Sequence, residues 1–403
     1  MKGKNLLILV VLAVILTAAA VLVRRKDVSP PPEEIGKLLM PDLAVNDIEK
    51  VVMDTGSATT TLAKVEGRWV CRNRHDYPID FGKLSDVLVD LYEVKIANVV
   101  PGASERLGSL GLKPPAPSTG EDEPRSGTLV KLFFKGKTEP RSVLLGKAHM
   151  KKPTGEAAAY GSYPDGRYVS TDDGKTAYLI PETLDDLTLD DPTQWLDSDL
   201  LSVSSSDIME ISVTGPGRDA ILVSRKDKSS DLEVQGLKDD EEADTSKLNS
   251  INGALSYLRL NDVAGKSLPP EQVGMTSAVV FKVTTKKDQI YTVRVGSSPD
   301  DSSDYHIQID VAMAQPSGEK VEEVEEGDEK TDEQEKTDEE KAEEEKKERE
   351  KTEAAVEKLQ KKLSGWTFLV SSYKAESFKT KRSDLVKKKK KEEEKKDKAN
   401  KED

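Results

Sequence analysis

The sequence predicts an α+β protein of two tandem homologous modules. Each is an antiparallel sheet with one main amphipathic helix, and an N-terminal transmembrane helix precedes them. Three observations predict this. An uncharged apolar run stands near the start, one series of strand and helix signals occurs twice in the same order, and the charge is concentrated in a single segment of the second half.

The apolar run is Asn5–Val23, nineteen residues without a charge, in which only Asn5 and Thr17 are polar. As a helix rising ~1.5 Å per residue it matches a hydrocarbon core of ~30 Å. Ala18, Ala19 and Ala20 would suit a signal peptidase. The run is longer than a signal h-region, however, and ends in Arg24, Arg25 and Lys26, which favours an uncleaved anchor over residues 1–26. Lys2 and Lys4 nearly balance the three basic residues beyond the run, so charge alone leaves the orientation open. The long polar remainder is expected outside the cytoplasm. Residues 27–42, with Pro30–Pro32 followed by Glu33 and Glu34, read as a stiff solvated spacer.

Module one is placed at residues 43–203 and module two at 204–386. In module one, alternating apolar residues mark strands at Asp47–Val52, Thr59–Lys64 and Arg68–Val70; in module two they mark Asp207–Val213, Ala220–Arg225 and Leu232–Val234. A helix follows each set. Asp80 caps the first, with Leu84, Val87, Leu88 and Leu91 on one face; Thr245 or Ser246 caps the second, with Leu248, Ile251, Leu255 and Leu258. A knuckle comes next, Leu110–Leu112 in one copy and Val273–Met275 in the other. Strands Thr128–Phe134 and Ser142–Leu145, ending at Gly146, match Ala278–Val283 and Ile290–Val295, ending at Gly296. Arg167–Ser170 and Thr176–Ile180, joined by the turn Asp172–Gly174, match Tyr305–Val311 and Trp366–Val370. Each copy closes on a short polar, helical stretch ending in Asp-Leu, at Asp199–Leu200 and Asp384–Leu385.

The second hairpin is interrupted by residues 315–363, which carry 20 Asp+Glu and 11 Lys+Arg and no aromatic residue. Such a stretch buries too little apolar surface to offset its ordering entropy, and disorder is expected for much of it. Its end is different. Glu343–Lys347 and Glu357–Lys361 are i,i+4 pairs in the favourable order, and Val356, Leu359 and Leu363 form an apolar edge, so a solvated helix docking its last turns on module two is expected there. The segment should leave from a hairpin tip and is read as a solvated charged loop in preference to a partner-binding arm. The Lys-rich tail, residues 387–403, is expected to be disordered.

The strand–strand–GRWV opening (Gly67–Val70), the capped helix, LGSLGLKPP (Leu107–Pro115), SVLLGK (Ser142–Lys147) and YVSTDDGKTAYLI (Tyr168–Ile180) together resemble the bacterial domain-of-unknown-function family 4340. The resemblance covers most of residues 40–200 and, more weakly, 205–313 with 365–386, as two tandem copies of which the second is degenerate and interrupted. It implies a membrane-anchored bacterial protein with an α+β domain, a place beside ATP-binding-cassette transporters or gliding-associated proteins, and no catalytic residues.

The chemistry-bearing residues point the same way. The 403 residues include 61 Lys+Arg against 75 Asp+Glu, a net charge of −14, which argues against nucleic acid as a partner. A single cysteine, Cys71, excludes an internal disulfide and reads as a small core residue. His75, His149 and His306 fall in different elements with no partner at metal spacing. Asp185, Asp186, Asp190 and Asp191 cluster without a calcium-loop pattern, and capping and solvation account for them best. Gly265–Ser267 lacks the upstream glycine of a phosphate loop, and Ser204–Ser206 reads as a linker. Trp69 and Trp195 read as core anchors. No catalytic, cofactor-binding or metal-binding residue is therefore assigned, and no cofactor is expected. The expected function is a membrane-anchored, non-enzymatic binding or accessory protein of the bacterial envelope, associated with a transport or gliding-type assembly. Its partners would be the bilayer, through residues 5–23, and transporter subunits. Two alternatives stay open: a membrane-tethered envelope hydrolase, in which His75 or His149 meets carboxylates, and a purely structural spacer.

Overall fold

The structure, a computed structural model, describes residues 33–116, 126–153, 161–315 and 338–389. They form two compact units. Unit one takes the described residues up to Trp69 together with Phe81–Pro192, and unit two takes Val70–Asp80 and the described residues from Thr193 onward.

The first half of the chain provides β1 (Ile48–Asp54), β2 (Thr59–Val65), β3 (Arg68–Cys71), β4 (Tyr77–Pro78), α1 (Phe81–Glu93), β5 (Asn98–Val100), α2 (Ala103–Leu110), β6 (Thr128–Phe134), β7 (Arg141–Lys151), β8 (Tyr163–Ser170) and β9 (Ala177–Ile180). Its sheet runs β4-β3-β2-β1-β6-β7-β8-β9-β5, and every pairing resolved between these strands is antiparallel. Side chains that alternate in sequence alternate between core and surface, as the pleat requires: in β6, Thr128, Val130, Leu132 and Phe134 are buried. Helix α1 buries Leu84, Val87, Leu88 and Leu91, the stripe its sequence announces.

The second half provides β10 (Asp199–Leu201), β11 (Ile208–Thr214), β12 (Ile221–Ser224), β13 (Glu233–Val234), β14 (Glu241–Ala243), α3 (Thr245–Asn252), β15 (Leu258–Arg259), β16 (Asp262–Lys266), β17 (Val279–Thr285), β18 (Gln289–Val295), β19 (Tyr305–Met313), α4 (Asp338–Leu363), β20 (Trp366–Val370), α5 (Ser372–Phe378), α6 (Arg382–Leu385) and β21 (Val386–Lys388). Its main sheet runs β13-β12-β11-β17-β18-β19-β20-β16, and β10–β15 and β14–β21 form two small ladders. With β4 set aside, this is the strand order of the first sheet.

Finer features match as well. A register shift at Ile48/Lys50 in the β1–β6 pair has its counterpart at Ile208/Glu210 in β11–β17. Lys135 N–H donates to the Asp47 carbonyl at 2.8 Å, and Lys286 N–H to Asp207 at 2.7 Å. Two glycine knuckles close the resemblance. Gly111 and Gly274 are left-handed (φ +67° and +69°), and the glycines ending β7's core stretch and β18, Gly146 and Gly296, pass so close to the knuckle backbone that a Cβ would lie 2.5 Å from Leu110 O and 2.0 Å from Val273 O.

The fold class expected from sequence is corrected. The described chain is mostly antiparallel sheet with few helices, and among its described residues no helix is long and apolar enough to cross a membrane. The transmembrane segment 5–23 expected from sequence lies outside the described residues. The expectation of one main helix per module fails in unit two for a local reason. Gly253 follows Asn252 and ends α3 after eight residues, so only Ile251 is buried on it, and Leu255 and Leu258 enter the core from beyond the helix. The cap is Asp244, accepting from Lys247 N–H at 3.1 Å, rather than Thr245 or Ser246. Asp199–Leu200 belongs to strand β10, not to a helix, whereas Asp384–Leu385 ends α6. The start of the tail, expected to be disordered, pairs instead: Lys387 and Lys388 face Glu242 and Glu241 across the β14–β21 ladder.

Candidate functional site

Residues singled out in the sequence are placed in different elements. Cys71 is buried at the end of β3, and burial pushes its thiol above the ordinary range, which keeps it protonated and unreactive. Trp195 is fully buried, whereas Trp69 is half-buried. Ser204 accepts from Ser206 N–H and starts a short 3-10 turn, the linker role its sequence suggests. Gly265 and Lys266 are strand residues of β16.

Three of the aspartates have separate structural partners. Asp185 receives Arg167 Nη2 at 2.5 Å, Asp186 pairs with Lys83 at 3.0 Å, and Asp190 accepts from Ser57 Oγ at 2.8 Å. Arg167 is itself buried and also donates to the carbonyls of Gly146 and Thr183, so it ties β8 to the end of the β7 core stretch. Among the described residues no three His, Cys, Asp or Glu side chains stand together as a metal site.

The histidines differ. His75 is exposed in a left-handed turn at φ +56°. His306 is buried in β19 and donates Nδ1–H to the Ser297 carbonyl at 2.8 Å, a satisfied core histidine. His149 is the one that meets a carboxylate: on the β7–β8 hairpin its Nδ1 lies 2.6 Å from Asp165 Oδ1, its ring sits edge-on to Tyr168, and Lys151 stands 3.8 Å from the other Asp165 oxygen.

One feature escaped the sequence reading, and a second goes further than the docked last turns it expected. In unit two, a polar recess of about 430 Å³ lies between α3 and α5. Its residues are ordinary serines, lysines and a tyrosine whose proximity only the tertiary fold creates. The second is the seating of α4. Val356 and Leu363 are buried, Gln360 Oε1 accepts from Val311 N–H at 2.6 Å, and Gln360 Nε2 donates to Asp310 at 3.3 Å. Farther along, Glu348 pairs with Lys287 at 2.8 Å and Arg349 approaches Asp288 at 3.8 Å. The helix is therefore fixed along β19 over at least four turns, more than its last turns alone.

With this sheet architecture and its knuckles in view, comparison with known proteins gives one match. The family described as "Domain of unknown function (DUF4340)" matches residues 69–277, more than half the chain. The chain belongs to the DUF4340 family. The match to DUF4340 is a single copy running from β3 to the turn just before β17, where the sequence resemblance suggested two. No curated protein and no solved structure matches the chain.

Proposed function

We propose that this DUF4340 protein is a non-enzymatic binding or accessory protein of the bacterial envelope. It is held at the bilayer through residues 5–23, with its bulk outside the cytoplasm, and serves an ATP-binding-cassette or gliding-type transport assembly. It is built from two copies of one module. Supporting the duplication are the shared strand order, the matched register shifts and the paired glycine knuckles.

The observation that carries the binding reading is the seating of α4. A loop that served only to solvate would need no attachment, yet this helix is bonded to β19 and to the β17–β18 turn. Its other faces present Glu343, Glu344, Glu345, Lys347, Glu357 and Lys361 to solvent, a rigid charged surface on which a protein partner can dock. The link to transport rests on the family resemblance. The test is recovery of the tagged full chain from mild detergent. Transporter subunits are expected with the wild type and lost when residues 316–352 are replaced by a short Gly/Ser linker; recovery without any transporter subunit overturns the reading. Digestion of residues 30–403 only after the inner membrane is permeabilised would place the modules in the cytoplasm and overturn the location.

The His149–Asp165 pair favours a second reading, an envelope hydrolase with His149 as general base oriented by Asp165. Turnover of a peptidoglycan or glycan substrate that His149→Ala abolishes would establish it in place of the first.

A further inference from the structure

The recess between α3 and α5 is lined unlike the rest of this acidic chain. From α3 come Ser246, Lys247, Asn249 and Ser250, spaced so that they share one side of the helix. From α5 come Tyr373, Lys374 and Ser377. No carboxylate lines it, although the chain as a whole carries 75 acidic residues. Ser250 and Ser377 bring their hydroxyls to 3.4 Å across the recess. Lys374 is half-buried and spends one of its three donors on the Ser256 carbonyl at 2.9 Å, which leaves two. Burial lowers the pKa of its ammonium, a cost that a nearby anion would relieve.

One lining residue, Tyr373, is aromatic. Tyr373 is 79% exposed, and Tyr257, which directly follows the Ser256 that Lys374 holds, is 80% exposed and left-handed at φ +52°. Large exposed aromatic rings are an expense a soluble surface generally avoids, and one beside a polar recess offers a flat apolar face next to hydrogen-bonding groups. The volume is that of a small-ligand site.

We propose that this recess binds an anionic sugar unit, a uronic acid within a glycan. The ring would lie against Tyr373, its hydroxyls would meet Ser246, Asn249, Ser250 and Ser377, and its carboxylate would meet Lys247 and Lys374. Each feature excludes an alternative. A neutral ligand would not need two ammonium groups without a carboxylate, and a bare anion would not need the tyrosine.

The test is titration calorimetry on the full chain in detergent with trigalacturonate, its methyl ester and inorganic phosphate as probes. Saturable binding of trigalacturonate is expected, weakened about tenfold by Lys247→Ala, whose lost charged hydrogen bond sets that scale. Binding should also weaken with Tyr373→Ala and with added salt. Both substituted side chains are exposed, and unchanged melting temperatures will show that the variants fold. Four results overturn the proposal: no saturable binding of trigalacturonate, equal affinity for the methyl ester, phosphate binding as tightly as trigalacturonate, or wild-type affinity in either variant.

Discussion

Replacing Gly296 by alanine tests the knuckle of unit two at its closest approach. The added Cβ would stand 2.0 Å from the Val273 carbonyl oxygen and 3.1 Å from its carbon. Ordinary contact begins near ~3.5 Å, so the end of β18 and the knuckle would have to part by roughly 1.5 Å. That movement breaks the hydrogen bond from Ser297 N–H to Val273 O, now 3.0 Å. Overpacking of this kind costs ~1–3 kcal/mol and an orphaned backbone pair a further ~1–3 kcal/mol, giving about 2–6 kcal/mol together. Gly217→Ala is the control. Gly217 is left-handed at φ +66° with nothing within 4 Å of a Cβ, so only the conformational penalty of ~1–2 kcal/mol applies. Amide hydrogen exchange, read peptide by peptide, separates the two units: peptides from β17, β18 and β19 should exchange at least about thirtyfold faster in the Gly296 variant, while β6 and β7 keep their protection. Unchanged protection in β18, or an equal loss in the Gly217 variant, refutes the close-approach argument. Gly146→Ala should do to unit one what Gly296→Ala does to unit two, and a silent Gly146 variant would count against a shared module.

Three further substitutions probe other contacts. Arg167→Lys leaves one ammonium to serve Gly146 O, Thr183 O and Asp185, and should destabilise unit one by about 3 kcal/mol in urea denaturation; an unchanged midpoint would show that the buried guanidinium ties nothing together. Gln360→Ala orphans Val311 N–H and should cost about 1–3 kcal/mol, visible as faster exchange in β19, with no change there refuting the role of α4 as an edge cap. The carboxyl of Glu182 is raised above the usual range by burial and by Asp90, so the folded state holds its proton more tightly than the unfolded chain does. Stability from this group is therefore lost as pH rises through the ordinary carboxyl range toward the raised pKa. Glu182→Gln should melt higher than wild type at pH 7 and equal to it at low pH, and a gain that persists in acid would refute the titration.

The period-two and helical patterns revealed most of the sheet strands because the burial that creates them acts on each element separately. Val51 and Met53 must alternate to face one core, which Ile48 joins across the register shift, and Leu84, Val87, Leu88 and Leu91 must recur at helical spacing. What pattern reading missed is short or built from distant partners. β5 has three residues and owes its existence to pairing with β9, and β21 owes its own to β14. α2 was legible only as a knuckle, because Gly111 ends it after two turns; Ala103 and Leu110 then join Leu112, Leu144 and Ala177 in a small core that no local window contains. For the aspartate cluster the sequence offered capping and solvation, and the distant partners, the arginine that takes Asp185 and the lysine that takes Asp186, were not legible. The α3–α5 recess was invisible for the same reason: serines and lysines carry no periodic signal, and only the fold sets Ser250 beside Ser377.

The corresponding β-hairpins of the two sheets show how one strand order tolerates very different loops. In unit one the tip between β8 and β9 is sealed by side chains. Asp172 accepts from Thr176 N–H at 2.8 Å and from Ser170 Oγ at 2.9 Å, and Asp173 and Gly174 take the left-handed conformations the turn needs. In unit two β19 outruns its partner, since β20 pairs only with Tyr305–Ile307 of a nine-residue strand. The remaining stretch would expose unpaired backbone groups, a template for edge-to-edge association. Helix α4 answers this with a side chain in place of a strand, Gln360 presenting to Val311 the amide oxygen that a neighbouring backbone would have supplied. Closing a longer loop adds only a logarithmic entropy cost, so once that edge is covered the length of the insertion is nearly free to vary. The charge that dominates the composition of this chain can therefore be carried on a segment held by a few side chains, Gln360, Val356 and Leu363 near its end and Glu348 and Arg349 farther out.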